Sequence, residues 1–124
     1  MKEYIFFNSR DELLRVRVSH VVYFAADGNY TNMMLANSLK SEILLNLGKV
    51  EWFLQQQVPE QAKDFVRIGK SLIVNRNFIY KIIVPRQQLI LSDTLHFTFS
   101  LHVSREALRR LKELYVPSGE QREQ

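Results

Sequence analysis

The amino-acid sequence predicts a mainly β protein with antiparallel strands, and three observations support this fold class. Apolar and polar residues alternate with a period of two in several short runs, which is typical of strands with one buried face. Turn-forming residues separate these runs at short intervals. The chain has 124 residues, 46% of them hydrophobic, so it is one domain in length and has enough apolar material for a core.

Three short strands and two turns are predicted in the N-terminal part of the chain. Short β-type runs lie at residues 4–7, 14–18 and 21–24. In the second run Leu14, Val16 and Val18 alternate with arginines, which indicates one buried and one solvated face. Turn formers follow the first and third runs, at residues 8–11 and 26–29.

A helix is predicted over residues 47–57. Asn46 is a candidate N-cap and Pro59 ends the run. The apolar residues recur at helical spacing, at Leu47, Val50, Phe53 or Leu54, and Val58. We assign Trp52, on the same segment, to packing.

The C-terminal part predicts further strands and a second helix. Residues 82–84 and 89–91 are β-type runs, and strict alternation over residues 95–103 predicts a strand in which Phe97 and Phe99 face the core. Ser104 is a candidate helix cap. The helix has an apolar stripe, formed by Leu108, Leu111, Leu114 and Tyr115, and ends at Pro117. We expect a domain over residues 1–116 and a disordered polar tail over 117–124.

Composition and motifs exclude several function classes. Cysteine is absent, which excludes disulfide scaffolds and thiol chemistry and favours a reducing compartment. No apolar run reaches the roughly 18 residues of a membrane helix, so we expect a cytoplasmic protein without membrane association. His96 and His102 share a strand face, but no acid accompanies them as a third metal ligand. No nucleophile elbow, P-loop or dinucleotide motif is present. We expect no enzymatic activity, no metal and no cofactor.

The positive charge is concentrated in one segment. Between Phe65 and Ser92 there are five bases and no acid, the bases being Arg67, Lys70, Arg76, Lys81 and Arg86. The chain has a net charge of +4, and the remaining residues contribute none of this excess. Such a concentration favours a face that binds a polyanion, because neutralised phosphates release counterions. A solvated surface without a patch is the alternative.

Three motifs, in order, resemble LytTR-type DNA-binding domains. Residues 21–31 (VVYFAADGNYT) resemble the family's opening motif I-x-Y-I-E-A-x-G-N-Y-V. Residues 65–68 and 71–75 resemble the block F-x-R-V-H-R-S-Y-I-V-N, and residues 102–105 resemble the closing I-P-V-S-R. The predicted helix stands between the first two motifs, and the match covers nearly the whole chain.

The chain departs from the family pattern at three places. Gly69 and Lys70 stand where the family usually has His-Arg, and Ala25 replaces the usual Glu. The residues Asp93 and Thr94 lack the glycine that is common in the hairpin before the last strand. Lysine cannot make arginine's two-pronged contact with guanine. We therefore expect Lys70 to hold a phosphate or a single acceptor, with an altered base preference.

The resemblance implies an elongated stack of small antiparallel β-sheets with two short helices. It also implies sequence-specific binding of double-stranded DNA as a bacterial transcriptional regulator, with loops inserted into successive major grooves of a direct-repeat site. Carried over position by position, it identifies the DNA-binding residues as Tyr30, Thr31, Asn32, Lys70, Ser71 and Arg105. Of these, Arg105 is expected to be the main base reader.

Structural roles remain as alternatives at several positions. Tyr30 could instead be a core aromatic, Asn32 a merely exposed side chain, and Arg105 a solvated residue of the first helical turn. Asn75 is interpreted as a turn former and Ser104 as a helix cap.

Alternatives also remain for the function as a whole. The second hypothesis is a β-rich protein-interaction module whose basic face meets an acidic partner, and the third is RNA binding. A second copy side by side on DNA is an expected partner. Family members usually follow a receiver domain, so the chain is either a regulator controlled by a separate partner protein or part of a larger regulator.

Overall fold

Antiparallel strands dominate the fold, as the alternating pattern predicts. The computed structural model describes residues 3–115, in which ten strands occur: β1 Tyr4–Asn8, β2 Leu13–Arg17, β3 Val21–Asp27, β4 Tyr30–Leu35, β5 Lys40–Ile43, β6 Phe65–Ile68, β7 Leu72–Asn75, β8 Ile79–Ile83, β9 Gln88–Ser92 and β10 Thr98–His102. The helices are α1 Leu47–Gln57, α2 Pro59–Ala62 and α3 Arg105–Glu113. The predicted end of the second helix at Pro117, the domain boundary at residue 116 and the tail 117–124 lie outside the described residues.

The strands form three sheets in which every pairing is antiparallel. One sheet has two strands in the order β1-β2, another has three in the order β10-β9-β8, and the largest has five in the order β5-β4-β3-β7-β6. The predicted β class and the stacking of small antiparallel sheets are therefore confirmed.

The five-stranded sheet is the middle layer because its central strands are apolar on both faces. Phe24 and Ile73 face one core, which also contains side chains of the two-stranded sheet and of α1 and α2. Val22, Leu72 and Val74 face the second core, which also contains the three-stranded sheet and α3. All four residues of β7 are buried, as expected for a strand covered on both sides.

Capping residues define where the two longer helices begin. The side chain of Asn46 accepts a hydrogen bond from the N–H of Lys49 at 2.9 Å, and that of Ser104 accepts one from Ala107 at 3.2 Å. Both predicted N-caps are confirmed. Asn75 is a buried turn former, as interpreted, since its side chain accepts the N–H of Asn77 at 3.0 Å.

Two expectations about the helices are wrong. Pro59 ends α1 at Gln57, but it also occupies the first position of the short helix α2, where its missing N–H costs nothing. The described residues therefore contain three α-helices rather than two, in addition to the short 3-10 helices Val18–His20 and Arg76–Phe78. Trp52 is 52% exposed rather than buried in a core. Its ring lies 5.4 Å from that of Phe53, and Lys49 Nζ is 5.5 Å from its ring centroid.

The strand predicted over residues 95–103 is shorter than its alternation. Strand β10 begins only at Thr98, and Leu95 is 83% exposed. The reason is Asp93, which organises a turn before the strand. Its Oδ1 accepts the backbone N–H groups of Leu95, His96 and Phe97, at 2.9, 2.7 and 3.2 Å. Phe97 is nevertheless buried in the second core.

No helix within residues 3–115 has the length and apolar character needed to cross a membrane.

Candidate nucleic-acid interface

The first predicted contact segment begins at the turn between β3 and β4. Asp27 pairs with Tyr30, which leaves a two-residue loop of Gly28 and Asn29. Gly28 has φ +64° and Asn29 does not have a positive φ, a pattern typical of type II′ hairpin turns. The side chain after the loop, Tyr30, is 46% exposed rather than part of the core.

The next two predicted contact residues differ in accessibility. Thr31 is fully buried, and its hydroxyl donates a hydrogen bond to the carbonyl oxygen of Leu45 at 2.8 Å. Asn32 is partly exposed, and its Nδ2 donates to Oδ2 of Asp27 at 3.3 Å. The structure therefore presents Tyr30 and Asn32 to a ligand, whereas Thr31 is buried and ties β4 to the segment that follows β5.

The second predicted contact segment is the turn between β6 and β7. Gly69 has φ +63°, a conformation that side-chain-bearing residues rarely adopt, which explains the glycine at this departure from the family pattern. The two residues that follow, Lys70 and Ser71, are exposed. Arg67 braces the turn: its Nε donates to the Gly69 carbonyl and its Nη2 to the Lys70 carbonyl, each at 3.1 Å.

These two turns lie side by side at one end of the five-stranded sheet. Strands β3 and β7 pair with Ala25 opposite Leu72, so the end of β3 lies next to the beginning of β7. The pairing continues beyond the strands, because the N–H of Ala26 donates to the carbonyl of Ser71 at 2.8 Å.

The third predicted contact, Arg105, lies on the first turn of α3 beside the β8–β9 turn. Its Nη2 donates to the carbonyl of Pro85 at 3.3 Å. The same connection is held by the N–H of Val103, which donates to the carbonyl of Gln87 at 3.0 Å. Exposed Arg86 lies at the tip of this turn, so it and Arg105 belong to one surface.

Helix α3 runs antiparallel to β6, which brings Arg105 to the end of the molecule that carries both turns. At the far end of the helix, Arg76 lies over the Tyr115 ring at 5.4 Å, and the N–H of Arg76 donates to Asp64, just before β6 begins. Nearer its start, Ala107 lines a groove together with Gly69, just after β6 ends. The structure thus brings together all three predicted segments.

The five bases of the acid-free segment fall into two groups, those whose side chains are engaged by other residues and those without an ion pair in the described part of the chain. Arg67 is paired with Glu51, Nη1 to Oε1 at 3.0 Å, and Arg76 is stacked on Tyr115. The other three bases, Lys70, Lys81 and Arg86, make no ion pair within residues 3–115. Lys70 and Arg86 lie at the end defined above, where Arg105 adds a third cation. This end is therefore suited to a polyanion.

Sequence reasoning left out a polar groove next to Arg105. It is lined by Arg86, Gln87, Gln88, Ser100, Leu101 and His102. Gln88 Nε2 donates to Ser100 Oγ at 2.6 Å across the β9–β10 pair. Two signals in the sequence point to this groove: the period-two pattern places Ser100 and His102 on a solvated face, and Arg86 lies in the acid-free segment. The sequence does not show that the β8–β9 turn lies against the start of α3.

Within the described part of the chain, no group of three His, Asp or Glu residues could hold a metal ion.

Comparison with known proteins agrees with the geometry. The family model described as the LytTr DNA-binding domain, a family of DNA-binding domains rather than of enzymes, matches residues 11–115. Among solved structures, the chain is similar to the LytTr DNA-binding domain of a protein from Bacillus cereus described as a methyl-accepting/DNA response regulator, with a TM-score of 0.60 and 22% identity. That likeness covers 92% of this chain and 97% of the other, and it shows the fold. No curated protein sequence matches.

Proposed function

Because the chain belongs to the LytTR family of DNA-binding domains, we propose that it binds specific sequences of double-stranded DNA as the DNA-binding part of a bacterial transcriptional regulator. The observation that carries the proposal is the convergence of three segments at one end of the molecule: the β3–β4 turn, the β6–β7 turn and the first turn of α3. This end presents Lys70, Arg86 and Arg105 without ionic partners among residues 3–115.

Each contact residue has a distinct role in this proposal. Lys70 and Ser71 hold phosphates and so set the register on the duplex, whereas Arg105 reads a base edge in the major groove. Tyr30 and Asn32 contact DNA from the first hairpin. Thr31 supports that hairpin from inside, because its buried hydroxyl is already hydrogen-bonded to Leu45.

The wider arrangement follows the family resemblance. We propose that the loops enter successive major grooves of a direct-repeat site, that a second copy binds side by side, and that a separate regulatory protein or domain controls binding. We propose further that the DNA-binding domain spans residues 1–116 and that the protein acts in the cytoplasm.

The test is fluorescence anisotropy with a duplex pool that contains the region upstream of the gene encoding the protein. The titration is run at low and moderate salt, with a single-stranded competitor of equal length. We expect duplex to compete better than single strand, with a steep salt dependence and a preference for certain duplexes. Absence of duplex binding at low salt would contradict the proposal and favour an acidic protein partner; better competition by the single strand would favour RNA-like recognition.

A further inference from the structure

We propose that Arg67 and Glu51 form a positioning pair that shapes the DNA-contacting β6–β7 turn, and that Arg67 itself does not contact DNA. The inference rests on the proposed function, because it assigns a role at the same surface. By this proposal Arg67, one of the five bases of the acid-free segment, is not a phosphate contact. Glu51, an acidic residue of α1, contributes to DNA binding by holding Arg67 in place.

The hydrogen bonds of Arg67 engage all three nitrogens of its guanidinium group. Nε donates to the carbonyl of Gly69 and Nη2 to the carbonyl of Lys70, each at 3.1 Å, while Nη1 lies 3.0 Å from Oε1 of Glu51. The two carbonyls belong to consecutive residues of the turn, and the first of these residues has the left-handed φ of +63°. A planar fork with fixed N–H directions suits two adjacent carbonyls, whereas an ammonium group does not reproduce it.

The contacts of Arg67 determine where Lys70 and Ser71 point. Its bonds hold the carbonyls of Gly69 and Lys70, so both peptide planes just before Ser71 are fixed in orientation. The other side of the turn is fixed by the N–H of Ala26, which donates to the Ser71 carbonyl at 2.8 Å. The β6–β7 turn is therefore clamped from both sides before any DNA arrives, which lowers the cost of ordering it on binding.

Replacement of Glu51 tests the proposal, because the two possible roles of this carboxylate predict opposite changes in DNA affinity. Its side chain is 45% exposed and lies next to a surface that is proposed to meet phosphates. By charge alone, removal of this carboxylate should strengthen DNA binding, since it removes a repulsion. If Glu51 instead holds Arg67 in place, the same change weakens binding. A half-exposed ion pair contributes little to overall stability. A change in DNA affinity of the Glu51 variant is therefore not caused by global unfolding.

The experiment compares four variants in duplex titrations at several salt concentrations: Arg67→Ala, Arg67→Lys, Glu51→Gln and the control Glu60→Gln. Glu60 is also an exposed acid of the helical region, and it is paired with Lys63 at 3.4 Å. We expect Arg67→Ala and Arg67→Lys to weaken binding by a similar factor, about tenfold, and Glu51→Gln to weaken it by a smaller factor. Glu60→Gln should leave binding unchanged or slightly stronger.

Opposite results would overturn the assignment. If Arg67→Lys binds as the unmodified protein does, the charge of Arg67 matters rather than its fork. If Glu51→Gln binds more tightly, Glu51 is only a repulsive charge. Arg67→Ala should also cost less once Lys70→Ala is present, because one of the two contacts that Arg67 positions is then already lost; fully additive losses would indicate that Arg67 has a phosphate of its own.

A second readout does not depend on DNA. Amide hydrogen exchange of Ala26, whose N–H donates to the Ser71 carbonyl at the end of the turn, should be faster in Arg67→Lys than in the unmodified protein, while exchange in β9 stays unchanged. Unchanged exchange of Ala26 would contradict the positioning role even if the protein failed to bind duplex. Absence of duplex binding by the unmodified protein, together with faster exchange of Ala26, would contradict the proposed function alone.

Discussion

The backbone N–H of Ala26 donates a hydrogen bond to the carbonyl oxygen of Ser71 across 2.8 Å. These residues are far apart in the sequence, and each adjoins a turn that the sequence analysis identified separately as a DNA contact. The hydrogen bond extends the β3–β7 pairing past the ends of the strands, so the two turns keep a fixed relative position. A ligand that spans both turns therefore meets a preorganised surface.

Replacement of Arg105 by alanine should relax the sequence preference at one base position. We expect a loss of about 1–3 kcal/mol for the preferred duplex and a smaller loss for duplexes altered at that base pair. Competition with all single-base variants of the selected site measures this. Arg109→Ala, one turn further along α3, is the matched control and should keep the preference. An unchanged preference in Arg105→Ala would mean that this arginine does not read a base.

Replacement of Lys70 by alanine should weaken all duplexes alike. Because the proposed contact is to a phosphate, we expect the slope of log K against log salt to become shallower by about one unit. Titrations of two unrelated duplexes over a salt series check this. Lys63→Ala removes an exposed lysine already paired with Glu60 and should leave the slope unchanged. A loss confined to one sequence would make Lys70 a base reader instead.

Replacement of Thr31 by valine should reduce stability without altering DNA affinity. Valine keeps the shape of the side chain but removes the donor that Leu45 accepts at 2.8 Å in a fully buried site. We expect the free energy of unfolding to fall by about 1–3 kcal/mol. Urea denaturation measures the loss, and a titration well below the melting temperature measures affinity. Reduced affinity of the folded variant would restore Thr31 to the contact residues.

Replacement of Thr94 by glycine should stabilise the protein. Thr94 has φ +64°, a left-handed conformation that is strained for a β-branched residue and easy for the glycine that the family usually has in this hairpin. We expect a gain of about 0.5–1 kcal/mol, measured as a melting temperature higher by about 4 °C. Thr98→Gly, in strand β10, should instead lower it. A lower melting temperature for Thr94→Gly would show that the strain is offset by the hydrogen bond that its hydroxyl donates to the Asp93 carbonyl at 2.6 Å.

The turn before β10 should make stability depend on acid pH. Desolvation raises the pKa of Asp93, but hydrogen bonds from the N–H groups of His96 and Leu95 and from the His96 side chain outweigh it, and they hold the pKa below its ordinary value of 3.8. A group with a lowered folded pKa stabilises the fold above its unfolded pKa and loses that contribution as pH falls.

We therefore expect Asp93→Asn to lower the melting temperature near neutral pH and to have less effect near pH 3. Melting curves across this range measure the difference between the two proteins. Asp11→Asn, at a carboxylate whose side chain is 88% exposed, is the control and should change the melting temperature little. The same would hold for Asp93→Asn if its carboxylate were not stabilised by the turn.

Sequence reasoning predicted six of the ten strands among the described residues, and it named no strand for β4, β5, β6 or β7. Helix α1 and both helix caps were predicted at the residue, because caps and apolar spacing are local signals. Leu95 was placed in a strand because it continues the alternation, whereas three N–H groups bonded to Asp93 turn the chain there. Trp52 was assigned to packing, and only the tertiary arrangement of α1 shows that its side chain is half exposed.

The candidate site was predictable in part. The acid-free segment contains the charge that the structure exposes at Lys70 and Arg86, but the sequence cannot show that Arg67 is engaged by Glu51, a residue from another element. Likewise, the antiparallel course of α3 along β6, which brings Arg105 to the two turns, depends on tertiary packing rather than on any local pattern.

The central position of β3 also has a consequence for synthesis of the chain on the ribosome. Its neighbour β4 follows almost at once, but its other neighbour β7 emerges only after β5, α1, α2 and β6. Until then one side of β3 is an unpaired edge, with apolar side chains such as Val22 and Phe24 on both faces. A nascent chain that ends before residue 72 therefore exposes the unpaired, aggregation-prone edge of β3. Release of the chain at that length should lead to aggregation unless a chaperone binds this strand.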